Sequence, residues 1–301
     1  MKMRKGTDMH GKTRKCPAAC GQLLRLLLCA VAPMFLFPLS IFPQEADSTE
    51  LNVTHATVFY GGVSLQQDTY LTPLRYTGYQ LSMLHEGLRM TSLWRGRVSG
   101  QSLVQLNFTS SSSDSGKGSY LGGQVHYDYA LHYNWLLGQR WRLMAGPQLG
   151  ATLGVLYNAR NSNNPAQAIA NVHLNASAAA IFRFPFCRRE AAVRYQTDFQ
   201  LLGVMFSPNY GQGYYEIFVL QQPDHNVIAT LPWKALRWRN QLTMDIPLRR
   251  SSIRYGLFLD SQSSHVNNLV HADFTAGFMV GWVRHHTRRL TRRQFPNGFI
   301  L

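Results

Sequence analysis

The stretch Gln124–Trp135, QVHYDYALHYNW, decides the fold because large apolar and aromatic residues occupy every second position. Side chains of a β-strand point alternately to opposite faces, so this period of two indicates a strand with one apolar and one polar face. The apolar face carries Val125, Tyr127, Tyr129, Leu131, Tyr133 and Trp135, and the polar face carries Gln124, His126, Asp128, Ala130, His132 and Asn134.

The same alternation recurs at 141–155, 191–201 and 272–282. Soluble strands average about five or six residues, and these runs are longer. Their polar faces are rich in Gly, Ser, Thr, Asn and Gln, which is typical of a barrel lumen. A soluble β-sandwich also alternates, but the long runs favour lipid, where open sheet edges are excluded. The sequence therefore predicts an all-β, antiparallel transmembrane β-barrel.

The number of strands follows less directly. Single-chain bacterial barrels have even strand numbers. We therefore predict about twelve strands, with a weak extra crossing at His225–Leu231, and ten as the fallback. The eleven clearer strand cores lie near 53–62, 76–86, 101–110, 122–135, 141–157, 168–184, 191–205, 213–221, 234–246, 251–260 and 271–283.

The N-terminus reads as an export signal. A basic segment from Lys2 to Lys15 precedes the apolar stretch Leu23–Phe42, and cleavage is expected near residues 43–47. An uncleaved membrane anchor is the alternative. The predicted organisation is a signal peptide at 1–46, a barrel at 47–284 and a basic tail at 285–301. Cysteines at 16, 20 and 29 fall in the leader, so Cys187 alone remains and no internal disulfide can form.

Arginines concentrate at the predicted short turns and in the tail, and the net charge of the chain is +15. Bacterial barrels keep short turns on the periplasmic side, so we expect a basic periplasmic rim against anionic phospholipid. Aromatic residues at the same end are expected to form an interfacial girdle. Because the arginines lie at turns of an exported chain, nucleic acid is not an expected partner. The girdle comprises Trp135, Trp141, Phe184, Phe186 and Trp282.

Two segments carry a family resemblance. Asp68–Glu86, DTYLTPLRYTGYQLSMLHE, and the Asn-rich Tyr157–Ala168, YNARNSNNPAQA, resemble an uncharacterised family of predicted outer-membrane barrel proteins of Bacteroides-like bacteria. The similarity continues through Tyr214–Phe218 and Leu242–Pro247. The resemblance implies outer-membrane location and a barrel, but no activity. The chain departs from a common barrel pattern, since it continues well past the aromatic Trp282 of the last predicted strand.

The inward faces carry the candidate chemistry. His126, Asp128 and His132 share one face, so they could orient a general base or hold a metal ion. We favour a lumen network of ion pairs and hydrogen bonds, because unpaired charges in a narrow barrel are costly. The alternation places six residues of each charge sign inside, with three histidines among them. These are Arg142, Arg183, Arg194, Arg237, Arg239 and Arg254, then Glu86, Asp128, Asp198, Glu216, Asp245 and Asp273, with His126, His132 and His173.

The principal members of this predicted charge network are His126, Asp128, His132, Arg142, Arg194, Asp198, Arg239, Asp245 and Arg254. A predicted outer loop contains Asn161, Asn163, Asn164 and Pro165, either as a ligand loop or as a tight turn. No catalytic residue, metal site or cofactor is expected.

Three roles remain open at the level of sequence. A closed or narrow barrel with a structural or docking role is favoured, because equal numbers of inward charges permit nearly complete pairing. A small passive solute pore is the alternative, and a barrel enzyme acting on envelope lipid is the second alternative.

The leader gives the first testable prediction. Membrane fractionation followed by intact-mass measurement should find the chain in the outer membrane with a new N-terminus near residues 43–47. The basic segment and apolar run ahead of that point motivate this expectation. A protein recovered with Leu23–Phe42 still attached would instead establish the uncleaved anchor.

Overall fold

The computed structural model describes residues 51–94, 96–113, 118–158, 164–187, 189–249 and 251–288, without the side chains of residues 51, 52 and 286–288. The predicted signal peptide, the tail beyond Arg288, and Asn161 and Asn163 of the predicted outer loop lie outside the described residues. No helix in the described ranges is both long enough and apolar enough to cross a membrane.

Antiparallel strands dominate the described chain. In order, the elements are β1 (Leu51–Asp68), β2 (Thr72–Met90), β3 (Val98–Ser113), β4 (Ser119–Leu137), β5 (Trp141–Asn158), β6 (Ala166–Phe186), β7 (Arg189–Phe206), α1 (Tyr214–Phe218), β8 (Val227–Thr230), β9 (Ala235–Pro247), β10 (Ser252–Val266) and β11 (Leu269–Arg288).

The sheet closes on itself. Each strand from β1 to β7 pairs with the next, β7 pairs with β9, and β9, β10 and β11 pair in turn. Closure comes from β1 and β11, whose register runs from Leu51 opposite Arg288 to Asp68 opposite His271. The described residues thus form a ten-stranded antiparallel barrel, with the short β8 paired to the end of β7. The predicted all-β antiparallel barrel is confirmed.

The prediction of twelve strands is wrong, and the fallback of ten matches the barrel. Residues 213–221 were expected to cross, but Tyr214–Phe218 forms the helix α1. The Glu216 carboxylate accepts a hydrogen bond from the Gly213 N–H at 3.1 Å, which caps the helix. The rings of Tyr214 and Phe218 lie one turn apart and stack at 6.1 Å. The expected crossing at 225–231 is the four-residue β8.

Removing the false crossing resolves the direction of the strands. The connections at residues 91–97, 138–140, 187–188 and 248–251 now all lie at the barrel end where β1 begins and β11 ends. We call this the turn end and the opposite end the loop end. The short turn at residues 248–251 therefore lies at the same end as those at 138–140 and 187–188 without an extra crossing between β7 and β9. β11 itself continues to Arg288, past the expected start of the tail at residue 285.

The two faces of the wall reverse the arrangement of a soluble barrel. On β2, Tyr79, Leu81 and Met83 are exposed, whereas Gln80, Ser82 and Glu86 are buried. Near the turn end, Trp135, Trp141, Phe186 and Trp282 are exposed, and Phe184 is half-buried. An apolar outer band flanked by aromatic residues is the pattern of a barrel wall in lipid.

This polarity predicts a depth-dependent response to one substitution. Leu149 lies midway along β5 and Leu137 ends β4, and both are exposed. In lipid vesicles, Leu149→Arg should lower the free energy of unfolding by about 2–4 kcal/mol, because Arg is most costly at the bilayer midplane. The matched control, Leu137→Arg near the interface, should cost about 0–1 kcal/mol. Urea unfolding monitored by tryptophan fluorescence measures both, and equal costs would contradict a lipid-facing wall.

Candidate functional site

Ion pairs cross the interior of the barrel. Glu86 on β2 accepts from Arg194 on β7 at 2.6 Å and from Arg254 on β10 at 2.5 Å. Neither β7 nor β10 is a neighbour of β2 in the sheet, so these contacts span the lumen. Arg254 also pairs with Asp245 on β9, with Nε 2.7 Å from Oδ1. Four side chains from four strands therefore form one layer on the turn side of the lumen.

A second layer lies at mid-height. Arg239 on β9 contacts Asp198 on β7 at 2.8 Å and Asp128 on β4 at 2.9 Å. His173 approaches Asp128 from the other side at 3.4 Å. Neither contact has the geometry of a hydrogen bond, so the one with Arg239 is an ion pair without strong directionality and the one with His173 is a close polar contact. Gly150 lines this spot, because a Cβ there would overlap Asp128 Oδ1 and His173 Nε2.

A third layer lies toward the loop end. Arg237 on β9 pairs with Asp260 on β10 at 3.1 Å and reaches His126 Nδ1 on β4 at 2.8 Å. His126 also contacts Thr152 through Nδ1 and Asn107 through Nε2. The three layers together connect most strands of the barrel across the lumen.

The histidines flanking Asp128 on β4 do not combine with it into one reactive group. His126 belongs to the third layer, and the histidine beside Asp128 is His173 on β6. His132 contacts Ser177 instead, at 2.8 Å. In the described part of the chain, no group of three or more His, Cys, Asp or Glu residues is arranged to hold a metal ion.

The contact between His132 and Ser177 has the residue types of a nucleophile and its base. However, the Ser177 hydroxyl donates to Asp198 at 2.5 Å, so its proton is directed away from the imidazole. His132, Ser177 and Asp198 are each 4% exposed or less, and none of them lines either cavity of the barrel described below. The arrangement joins the hydrogen-bond network and offers no access for a substrate.

Apolar side chains occupy further parts of the interior. One cluster contains Tyr60 and Phe258, whose rings stack at 4.8 Å, together with Leu84 and Leu103. At the loop end, Tyr76 and Tyr120 stack at 3.7 Å beside Leu71 and Leu156. These clusters take up part of the space that the charged layers leave.

The connection from Ser207 to Lys234, which we call the cap, closes the loop end. Its helix α1 is attached at Tyr214, whose hydroxyl donates to Gln167 at 3.0 Å and accepts from the Ala168 N–H at 2.7 Å. The Asn267 side chain, from the β10–β11 turn, donates to the Ser207 carbonyl at 3.1 Å. The cap thus contacts the ends of several strands.

Tyr70, in the β1–β2 turn, gives the cap another attachment. Its hydroxyl donates to the Gln212 carbonyl at 3.1 Å. Burial raises the pKa of Tyr70 to about 12, with the Asp68 carboxylate adding to the effect. The phenol therefore stays protonated and able to donate at neutral pH.

The two ends of the barrel differ in accessible space. A cavity of about 440 Å³ opens at the turn end, and its lining reaches Glu86, Arg194 and Arg254 of the first layer. Near the cap, a second cavity measures about 60 Å³. The larger of these two cavities therefore lies at the turn end, where it reaches the first ion-paired layer.

The structure brings the nine principal residues of the predicted network into the interior. Eight of them are buried, and Asp245 is half-buried. Arg142 and Asn134 interact through the Arg142 Nε and Nη2 atoms at 2.9 and 2.6 Å, rather than through a carboxylate. Asn164 and Pro165 are half-buried, and the Pro165 carbonyl accepts from the Asn158 N–H at 2.7 Å.

One predicted inward charge is misplaced, and two were missed, namely Asp260 and Asp68, which is buried beside His271. Glu216 is exposed on α1 rather than directed into the lumen, because its segment is a helix. Asp260, which pairs with Arg237, is absent from the inward charges that the sequence predicted. The sequence did contain a signal, because Asp260 has the same strand parity as the selected Arg254.

Comparison of the sequence with known families gives one match. The model of a family described as "Protein of unknown function (DUF3316)" matches residues 23–293. No curated protein matches the sequence.

Several solved structures are similar to the chain, with low TM-scores. The translocator domain of the autotransporter NalP from Neisseria meningitidis has a TM-score of 0.39 and 11% identity, and the match covers 89% of this chain and 96% of that one. The outer membrane protease OmpT from Escherichia coli has a TM-score of 0.38 and 7% identity, and the match covers 81% of this chain and 99% of that one. An outer membrane channel from Pseudomonas putida F1 has a TM-score of 0.38 and 12% identity, and the match covers 82% of this chain and 100% of that one. These overlaps are too loose to transfer any property to this chain.

The contact between Asp128 and His173 can be tested through Gly150. Gly150→Ala should lower the free energy of unfolding by about 1–3 kcal/mol, because the added methyl group must displace two buried polar side chains. The matched control is Gly123→Ala on β4, where an added Cβ has no neighbour within 4 Å. Equilibrium unfolding compares the two variants. A Gly150→Ala variant as stable as the control would mean that the mid-height layer is looser than described.

Proposed function

Because the chain belongs to the family described as "Protein of unknown function (DUF3316)", whose description names no activity, we propose from its architecture that it is a closed outer-membrane barrel with a structural or docking role. The proposal assigns no reaction to the protein. In it, the turn end faces the periplasm and the cap faces the outside, as short turns and longer loops do in bacterial barrels.

The outer wall supports residence in a membrane. Exposed apolar residues recur along the strands, including Leu81, Phe108, Leu149 and Phe278. Monomeric soluble proteins rarely expose contiguous apolar patches larger than a few hundred Å². The strands run from 13 to 21 residues in the closed barrel, and a tilted strand needs about 9–11 to cross a bilayer.

The main support for a closed state is that side chains occupy much of the lumen. Three layers of ion pairs and two apolar clusters occupy the interior, and the cap covers the loop end. Opening a path would require breaking buried ion pairs, which leaves uncompensated charges at a cost of about 3–5 kcal/mol for each broken pair. Thermal motion alone would therefore open such a barrel rarely.

The cap supports a docking role at the outer face. It is folded by its own hydrogen bonds, such as that from the Asn226 side chain to the Ser207 carbonyl at 3.1 Å. It also exposes Tyr210, Tyr215 and Trp233, each at more than 60%. Aromatic side chains of this kind are enriched in protein interfaces.

One observation favours a narrow pore as the second candidate. The cavity at the turn end extends inward to the ion pairs of Glu86, so water and ions can enter part of the lumen. The two candidates differ in whether that layer opens. In the closed barrel, the layer of Glu86, Arg194 and Arg254 does not open and forms the inner end of the cavity.

Single-channel recording in planar bilayers tests this difference. The purified full-length protein should give no steady conductance, because the layers at Glu86 and Arg239 block ion passage. Arg239→Ala removes a side chain that spans from β9 to β4 and should produce brief openings. The matched control is Arg75→Ala, which removes an exposed arginine at the loop end. Large, steady conductance from the unmodified protein would contradict the closed barrel and favour the pore.

A further inference from the structure

The cavity at the turn end has the dimensions of a ligand site. Its volume of about 440 Å³ lies within the range of roughly 300–1,000 Å³ found for small-molecule pockets. Its walls combine polar groups with apolar ones, among them Leu88, Ile181 and Pro247. A small molecule with one charged and one apolar part would match such a lining.

The lining carries excess positive charge. It contains five arginines and three carboxylates. Arg194 and Arg254 are engaged by Glu86, and Arg254 also by Asp245. The remaining arginines are Arg142, Arg183 and Arg249, and the remaining carboxylate is the exposed Glu190.

Arg142 is the unusual member of this group. It is 2% exposed, and it forms no ion pair with any described carboxylate. Its Nε and Nη2 atoms both donate to the Asn134 side-chain oxygen, and Nη2 also donates to the Met90 sulfur. The remaining nitrogen, Nη1, has no hydrogen-bond partner. A buried guanidinium without a counter-ion is costly, so an anion in the adjoining cavity would be strongly favoured.

Arg183 supplies a second positive charge beside the first. Arg142 on β5 lies opposite Ile181 on β6, so Arg183 is its diagonal neighbour on the same face. Diagonal neighbours have Cα atoms about 7–8 Å apart, which allows two long side chains to converge. Arg183 is half-buried and forms no direct ion pair with a described carboxylate, and the exposed Glu190 acts on it only through its charge.

We propose that Arg142 and Arg183 bind the phosphate group of a small phosphate monoester in the turn-end cavity. A phosphate monoester carries a charge of about −1.5 to −2 at neutral pH, which matches two unpaired arginines, whereas a carboxylate leaves one uncompensated. Guanidinium groups suit phosphate because they donate two parallel hydrogen bonds. The apolar wall then contacts the organic part of the ester.

The same phosphate chemistry occurs in a phospholipid headgroup, so the source must be distinguished. The cavity is lined by inward-facing residues such as Glu86 and Arg254, and it is entered at the barrel end rather than through the wall. A lipid would have to leave the bilayer to reach it, and a phosphodiester carries a single negative charge. Both points favour a soluble ester. This inference goes beyond the closed-barrel role and does not depend on it.

Isothermal titration calorimetry on the full-length protein in detergent tests the site. Phenyl phosphate should bind saturably and more tightly than inorganic phosphate, because the ring adds apolar contact. Benzoate, with the same ring and one negative charge, should bind at least tenfold more weakly. Arg142→Gln and Arg183→Gln should each weaken phenyl phosphate binding by roughly tenfold or more, as loss of a hydrogen bond between charged groups does.

Arg97→Gln is the matched control. Arg97 is exposed at the same end of the barrel but does not line the cavity, so its loss should leave the affinity unchanged. Heat-dependent gel mobility verifies that each variant folds. If Arg142→Gln does not fold, the half-buried Arg183→Gln decides the question.

Three results would overturn the proposal: no saturable binding to the unmodified protein, equal affinity for benzoate, or an affinity that neither arginine affects. The lipid source is tested in nanodiscs of phosphatidylcholine with and without phosphatidylglycerol. Competition by phosphatidylglycerol against phenyl phosphate would contradict the soluble ester as ligand. Binding and conductance are separate measurements, so failure of this site leaves the closed barrel untouched, and the reverse also holds.

Discussion

The structure depends on the pairing of charges inside a closed barrel. Glu86 illustrates the constraint, because its two oxygens serve Arg194 and Arg254 from strands that do not neighbour β2. Backbone hydrogen bonds fix only adjacent strands, whereas these contacts connect opposite walls. A buried carboxylate that lost both partners would be very unfavourable, so each layer constrains which side chains the other walls can carry. The sheet can therefore close only if the charged side chains that face the lumen find partners on the opposite walls.

The two ends satisfy different constraints. At the loop end, the strands extend into a folded cap, and stacked Tyr76 and Tyr120 exclude water beneath it. At the turn end, the described connections are tight and do not cover the opening, so the first ion-paired layer is reached through the cavity. This asymmetry follows from the length of the connections. It gives the described barrel one end covered by the cap, with exposed aromatic residues, and one end with a cavity rich in arginine.

Local periodicity predicted much of this arrangement, and closure geometry accounts for what it missed. The alternation along Gln124–Trp135 assigns every buried position of that stretch correctly, because side-chain direction in a strand depends only on parity. The partners of Asp128 could not be predicted, since they depend on how the strands are staggered around the barrel. The segment Tyr214–Phe218 misled because aromatic residues favour strands. Its helix rests on contacts with Gln167 and Ala168, which are distant in sequence.

The paired and unpaired arginines of the turn end have a common origin. Glu86 and Asp245 neutralise Arg194 and Arg254 and close the lumen, which gives the cavity a fixed floor. Neither carboxylate pairs with Arg142, whose Nη1 atom has no hydrogen-bond partner and which lies diagonally across from Arg183. One more inward carboxylate on β5 or β6 would reduce the excess positive charge of this lining, which contains five arginines and three carboxylates. The excess positive charge of the lining therefore persists because two of its three carboxylates pair with Arg194 and Arg254, and a phosphate bound at the proposed site would balance it.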